Sequence, residues 1–343
     1  MAFYLDDSQR QALLRRRASL TWRSEWPTWL VIVAIYAGWF GVATHARVLG
    51  MAVTIALLAL FGAWYLSLQH ELLHGHPTRS PLINGLIGFM PLAVWFPYRV
   101  YRDLHLRHHD DPHLTRPEHD PESYFVSLAA WDRAGPMLRV LLTARNTFIG
   151  RLLLGPAFSL AATASDASRK LLQRDFSDVP AWLAHGAALA ALTTWLAREC
   201  GISPWLFIVG AGYPALALNA VRSFHEHRSA DAYEHRSVIN EAAWCWRLLF
   251  LNNNYHAVHH DLPGLPWFAL RGVYRERRAE YLLRNGGFIV NGYSDWLTSY
   301  AAKPIAHPVH ALTQTGAAST TRRRQVQPKL ALRRHRLQFR RFN

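Results

Sequence analysis

Four stretches of the chain carry no Asp, Glu, Lys or Arg: residues 26–46, 48–69, 179–197 and 200–221. As helices rising about 1.5 Å per residue, each comes close to or reaches the roughly 30 Å hydrocarbon thickness of a bilayer. Only Arg47 joins the first two, and only Arg198-Glu199 the second two. The pattern therefore predicts two helical hairpins that cross the membrane and return, with backbone groups satisfied inside each helix. Arg10, Arg15, Arg16, Arg17 and Arg23 precede the first apolar run. They predict a cytoplasmic segment over 1–25 in place of a cleaved signal peptide. Four crossings then return every long polar section to the cytoplasm, as expected of a multi-pass protein of a bacterial inner membrane.

Two further segments are apolar but interrupted. Residues 80–98 are uncharged yet hold Pro81, Pro91, Pro97, Gly85 and Gly88, which predicts a helix lying in or dipping into the interface. Arg139, Arg145 and Arg151 punctuate residues 137–162, the pattern of an amphipathic surface helix. The predicted fold class is thus all-α integral membrane, with a membrane domain over 26–300 and a cytoplasmic helical cap.

Charge refines this picture. Lys and Arg total 38 against 23 Asp and Glu, a formal +15. Nine of those excess charges fall between Arg322 and Asn343 without one acid, so residues 301–343 read as a basic, disordered tail. A nucleic-acid role would need the charge on a folded face. Two cysteines, Cys200 and Cys245, exclude a disulfide framework, a Cys-rich zinc site and an iron–sulfur cluster.

The 19 histidines are the unusual feature. His70 and His74 are spaced i, i+4 where the second apolar run ends. His105, His108 and His109 form an i, i+3, i+4 set, and His256, His259 and His260 repeat it. His225 and His227 follow the fourth run. On a helix these spacings place imidazoles on one face, close enough to share a metal. All the groups fall on the predicted cytoplasmic side. Eight or nine imidazoles exceed what one tetrahedral zinc accepts, so two metal ions are implied, and nitrogen ligation alone suits iron, copper or zinc. Residues 225 and 227 lie about 200° apart on a helix, so only one of them faces the metals.

The texts HELLHGHPTR (70–79), YRDLHLRHHDDPHLTRPEHDPESY (101–124), RSFHEHR (222–228) and NNNYHAVHHDLPGLPW (252–267) resemble the histidine boxes of the membrane fatty acid desaturase superfamily. That superfamily also includes alkane hydroxylases and carotenoid ketolases and hydroxylases. The likeness covers about residues 25–290 and is strongest to the bacterial branch. It implies a non-haem diiron centre at the cytoplasmic face, held by His70, His74, His105, His108, His109, His227, His256, His259 and His260. The expected cofactors are two Fe ions, with O2 as co-substrate.

Around this set, His76, His113 and His119 are expected in supporting or surface positions. Asn219, Asn252, Asn253 and Asn254 are candidates to reach a metal through water, and Glu71, Asp103, Asp110, Glu226 and Asp261 to orient ligands. Trp95, Phe96, Tyr98 and Tyr101 are candidates for a substrate channel. The expected activity is O2-dependent desaturation of a fatty acyl chain, with hydroxylation or ketolation of a hydrocarbon as the alternative outcome of the same ligand set. No HPGG, CxxC or GxGxxG motif is present. The electrons are therefore expected from a separate ferredoxin-, rubredoxin- or cytochrome b5-like protein. A metal transporter would carry ionisable residues within its spans, where only His185 lies deep.

Overall fold

The computed structural model describes residues 19–311 together with Ser8, Gln11, Leu13 and Arg15. The basic tail expected beyond Thr313 and most of the arginine-rich segment 1–25 lie outside the described residues.

Pro27 opens α1 (Trp26–Thr44), giving up an N–H that has no helical partner in the first turn. Gly50, at φ 77°, turns the chain into α2 (Met51–Leu73). The Pro/Gly-rich run yields only a short helix, α3 (Pro81–Gly88), and a non-helical stretch leading to α4 (Tyr98–Asp110), which carries the second histidine group. Then follow α5 (Pro136–Arg145), α6 (Phe148–Leu172), α7 (Val179–Cys200) and α8 (Leu206–Arg222). The last turn of α7 and the start of α8 are π-helical. The third histidine group lies on α9 (His256–Asp261).

Small residues let α8 press between α2 and α6. A Cβ on Gly62 would stand 3.0 Å from that of Ala215, and one on Gly155 would stand 3.0 Å from that of Ala220. α1 meets α8 through Trp39 and Phe207, edge to face at 5.7 Å, and α7 through Phe40 and Trp195 at 5.5 Å. Past α8 the chain builds a cap around Phe224, Phe250, Tyr293 and Trp296 and around Tyr255, Val258, Tyr274 and Tyr281. Strands β1 (Ile239–Asn240) and β2 (Ile289–Val290) pair in parallel across it. The protein is thus a mostly helical membrane fold with a cap on one face.

By length and composition α1, α2, α6 and α7 could each cross a bilayer, while α8 is shorter. The surface helix expected over 137–162 is in fact two. Thr147 accepts the Gly150 N–H (2.9 Å) to start α6 anew, and α6 runs on to Leu172. α6 is anchored at both ends. Phe148 packs against Phe224, just past α8, at 5.3 Å. Lys170 bonds Asp178 (2.5 Å) ahead of α7; there Pro180 and Ala181 share a hollow with Arg99 and Arg102 of α4. Arg151, expected on a solvated face, is instead 7% exposed. His185, deep in α7, bonds the Val94 carbonyl at 2.6 Å, a structural role.

Candidate metal centre

The end of α2, the last turns of α4, the loop after α8 and α9 converge at one place. All nine histidines of the expected set meet there in two groups: His70, His74, His105, His109 and His259, and His108, His227, His256 and His260. Within each group one nitrogen per ring lies within 4.8 Å of every other. The i, i+3, i+4 spacing explains the division, because His105 and His109 turn toward the first group while His108 turns toward the second.

The nitrogens facing inward are mostly Nε2. Those of His105 and His109 are 3.1 Å apart, and those of His109 and His259 are 3.0 Å apart. In the second group His256 Nε2 lies 3.0 Å from that of His227 and 3.1 Å from that of His260, and His108 Nε2 lies 3.2 Å from His227 Nε2. Four of the opposite ring edges are engaged elsewhere, while Nδ1 of His260 is buried without a partner among the described residues. Nδ1 of His108 donates to Asp120 at 2.7 Å, Nδ1 of His105 to Glu122 at 2.9 Å, Nδ1 of His256 to Asn253 at 3.2 Å, and Nδ1 of His227 to Ser237 Oγ at 3.2 Å. The carboxylate and amide-oxygen acceptors fix the tautomers of His108, His105 and His256 and leave their Nε2 lone pairs bare toward the neighbouring rings. His74 Nε2 is buried with no partner at all.

A row of buried lone pairs is repulsive until a cation sits between them. With metal–nitrogen bonds of roughly 2.1 Å, adjacent donors stand about 3.0 Å apart in an octahedral arrangement and about 3.4 Å in a tetrahedral one. The observed spacings fit the former, and five nitrogens in one group exceed a tetrahedral set. The donor set and its geometry therefore fit a pair of metal ions of higher coordination number.

The titration behaviour agrees. Burial, with the neighbouring imidazoles, pushes His74, His109, His256, His259 and His260 well below the usual imidazole range and His227 down to about 3. Neutral rings are what a metal requires. His108 goes the other way: burial would lower it, but Asp120 and Glu122 outweigh burial and hold it at about 9. These carboxylates favour positive charge on that ring, and a metal ion at Nε2 meets the same demand as a second proton.

The competition between positions 225 and 227 is resolved geometrically. His227 joins the second group, whereas His225 packs on Phe288 at 5.3 Å with Nδ1 3.2 Å from the Tyr124 hydroxyl. Of the asparagines, Asn253 stands between the groups, with Nδ2 3.5 Å from His70 Nε2 and Oδ1 on His256. Asn252 and Asn219 bond Trp267 and Arg222, and Asn254 donates its Nδ2 to the Asn240 carbonyl while its Oδ1 is buried without a partner among the described residues. His76 is fully buried against Glu25 (2.8 Å), away from both groups, and His113 and His119 are exposed, with rings 4.6 Å apart. Glu71 accepts the Trp267 N–H and stands 3.7 Å from His70 Nδ1, Asp261 accepts the Tyr281 hydroxyl, and Glu226 pairs with Arg222 and stands 3.7 Å from His256 Nδ1. Asp103 pairs at the surface with Arg102 and Asp110 is exposed, so neither orients a ligand.

Asp120 and Glu122, which accept hydrogen bonds from His108 and His105, were not singled out by the sequence. They follow the HxxHH group in the text HDPES, and their carboxylate character beside a proline-held turn is the signal that could have marked them. Beside the second histidine group lies a cavity of about 270 Å³. His108, His227 and Glu226 line one part and Trp95, Phe96 and Phe158 another. Tyr101 also lines it; Tyr98 does not, and is packed against Gly88.

Known proteins resemble the chain in sequence. The sequence profile described as Fatty acid desaturase matches residues 46–291. An sn-1 oleoyl-lipid 12-desaturase of Arthrospira platensis is 25% identical over 279 residues, covering 75% of this chain and 77% of that protein. The matched region contains all nine clustered histidines, and on that footing the chain belongs to the fatty acid desaturase family.

Proposed function

We propose that the protein is a membrane-bound non-haem diiron oxidoreductase that uses O2 and external electrons to desaturate a fatty acyl chain. The observation that carries this reading is the junction of two groups of facing imidazoles, most of them shifted toward the neutral form, with a cavity lined by both apolar and charged side chains. The Arthrospira relative's action on an oleoyl lipid supports an acyl substrate. His70, His74, His105, His109 and His259 would hold one iron, and His108, His227, His256 and His260 the other. Bound there, the irons supply O2-dependent C–H oxidation, for which amino-acid side chains alone have no chemistry.

The chain's own part is positioning. Asp120, Glu122 and Asn253 keep the Nδ1 protons of His108, His105 and His256 in place, so that Nε2 stays free. Trp95, Phe96 and Phe158 give the hydrocarbon an apolar wall and keep water from the reacting carbon. The crossing segments in this reading are α1, α2, α7 and α8, with α6 along the membrane face and the histidine side in the cytoplasm. A separate ferredoxin-, rubredoxin- or cytochrome b5-like donor would deliver electrons on that side.

Lipid profiling of a host expressing the wild type, His108→Ala and His259→Ala tests the proposal. A new double bond with the wild type and none with either variant is expected. Full activity of either variant, or oxidation absent while only zinc is bound, would overturn it. An alcohol in place of an alkene would move the reaction to hydroxylation on the same centre.

A further inference from the structure

Six charged side chains line the cavity: Asp120, Glu122, Glu226, Arg145, Arg151 and Arg222. The three carboxylates are already engaged, Asp120 by His108 (2.7 Å), Glu122 by His105 (2.9 Å) and Glu226 by Arg222 (3.1 Å). That leaves Arg145 and Arg151, which are 8% and 7% exposed. Among the described residues neither forms an ion pair. One Nη of Arg145 donates to the Tyr124 carbonyl, and its guanidinium lies 4.9 Å over the Phe158 ring. Arg151 lies 4.5 Å over the Tyr124 ring, and no described residue accepts a hydrogen bond from it. The Nε of each is buried without a partner.

Such a pair is costly to keep. Desolvating a cation costs several kcal/mol, and stacking on an aromatic face returns only about 0.5–2 kcal/mol. Two cations held together, with planar donor forks facing a cavity and no protein anion to meet them, lack a ligand of the opposite charge. Carboxylate and phosphate match the fork geometry. The neighbouring rings of Phe158 and Trp95 belong to the same cavity, so the ligand that fills it has an anionic end and an apolar body.

We propose that Arg145 and Arg151 are a receptor for the anionic group, carboxylate or phosphate, of the acyl substrate, and so select charged acyl lipids over uncharged hydrocarbons. This rests on the acyl-substrate reading above. It does not depend on which oxidation the centre performs.

Equilibrium binding to the purified full chain in an uncharged detergent, followed by tryptophan quenching, tests it with three probes: oleate, dioleoylphosphatidylglycerol and oleyl alcohol. At least one anion should bind roughly ten- to a hundredfold more tightly than oleyl alcohol, as expected for charge-assisted hydrogen bonds. Whichever anion binds more tightly identifies carboxylate or phosphate as the recognised group. Arg145→Gln and Arg151→Gln should remove that advantage while leaving metal content and oleyl alcohol binding unchanged, and Arg151→Lys should restore part of it. Arg151→Met should raise the melting temperature without lipid, because it removes an unpaired buried charge; a merely structural arginine would give a lower one.

Equal binding of oleyl alcohol and both anions, or wild-type anion affinity in both folded Gln variants, would overturn the receptor. Arginine-dependent anion binding without any oxidised product would instead count against the desaturase reading and leave the receptor standing.

Discussion

Replacing Asp120 with asparagine removes one charge, keeps the shape, and reverses the polarity of one edge of a buried side chain. Asp120 is 3% exposed. Its Oδ1 accepts from His108 Nδ1 at 2.7 Å and from the Glu122 N–H at 2.9 Å, while Oδ2 accepts the Thr115 N–H at 2.8 Å. All these groups are donors, and asparagine has only one acceptor. If its amide nitrogen faces Thr115, two donors meet in a dry site. If it faces His108, that ring must carry its proton on Nε2, which blocks the nitrogen aimed at the second histidine group. An unsatisfied buried donor costs about 1–3 kcal/mol, and losing a carboxylate behind a metal-binding histidine costs roughly ten- to a hundredfold in metal affinity, or about 1.4–2.8 kcal/mol. Competition against a chelator of known affinity, with thermal unfolding of the metal-free protein in parallel, measures both. Glu122→Gln should fall at the low end, because Glu122 has a side chain 26% exposed and gives His105 a single bond. An Asp120→Asn protein with wild-type iron affinity and turnover would refute the orienting role.

Other outcomes follow from the same geometry. His227→Ala should empty the second histidine group, whereas His225→Ala, whose ring faces Phe288, should keep full metal content; elemental analysis of both variants decides. In the metal-free protein, six of the clustered imidazoles beyond α2 are depressed (His74, His109, His227, His256, His259 and His260) against one raised, His108. Below the ordinary value of 6.5 the unfolded chain then binds more protons than the folded one, so stability should fall steadily from about pH 6.5 toward about pH 3, as read by melting temperature. The raised His108 contributes the opposite slope, stabilising at low pH and fading as pH rises through about 9. Gly62→Leu should push α8 off α2, because even a Cβ there reaches 3.0 Å from Ala215; a loss of about 1–3 kcal/mol in thermal stability is expected.

The sequence carried the histidine groups well, because ligand spacing on a helix is a local property: all nine residues named from it converge. Of the four charge-free runs, three lie on helices long and apolar enough to cross a bilayer, whereas 200–221 yields only the shorter α8, and α6, which carries Arg151, is the fourth candidate. What it could not carry is contact between distant segments. Asp120 and Glu122 lie in a loop with no periodicity, and only the fold brings them back to His108 and His105. Asn253 differs from Asn252 and Asn254 only in where a tight turn aims it. Arg151 misled for a related reason: in a helical pattern an arginine marks a wet face, yet here it points into a cavity. The break at Asn146 and Thr147 was hidden because the residues on both sides continue one amphipathic pattern, and it rests on a single side-chain cap.

The account stands on two neighbouring groups of imidazoles each holding a metal ion. Iron per chain, measured by elemental analysis on the purified full-length protein, tests this most directly. About two irons per chain are expected for a pair of such nitrogen-rich sites, with His259→Ala losing iron from the first group and His256→Ala from the second. One iron or none in the wild type, or zinc alone in its place, would contradict it.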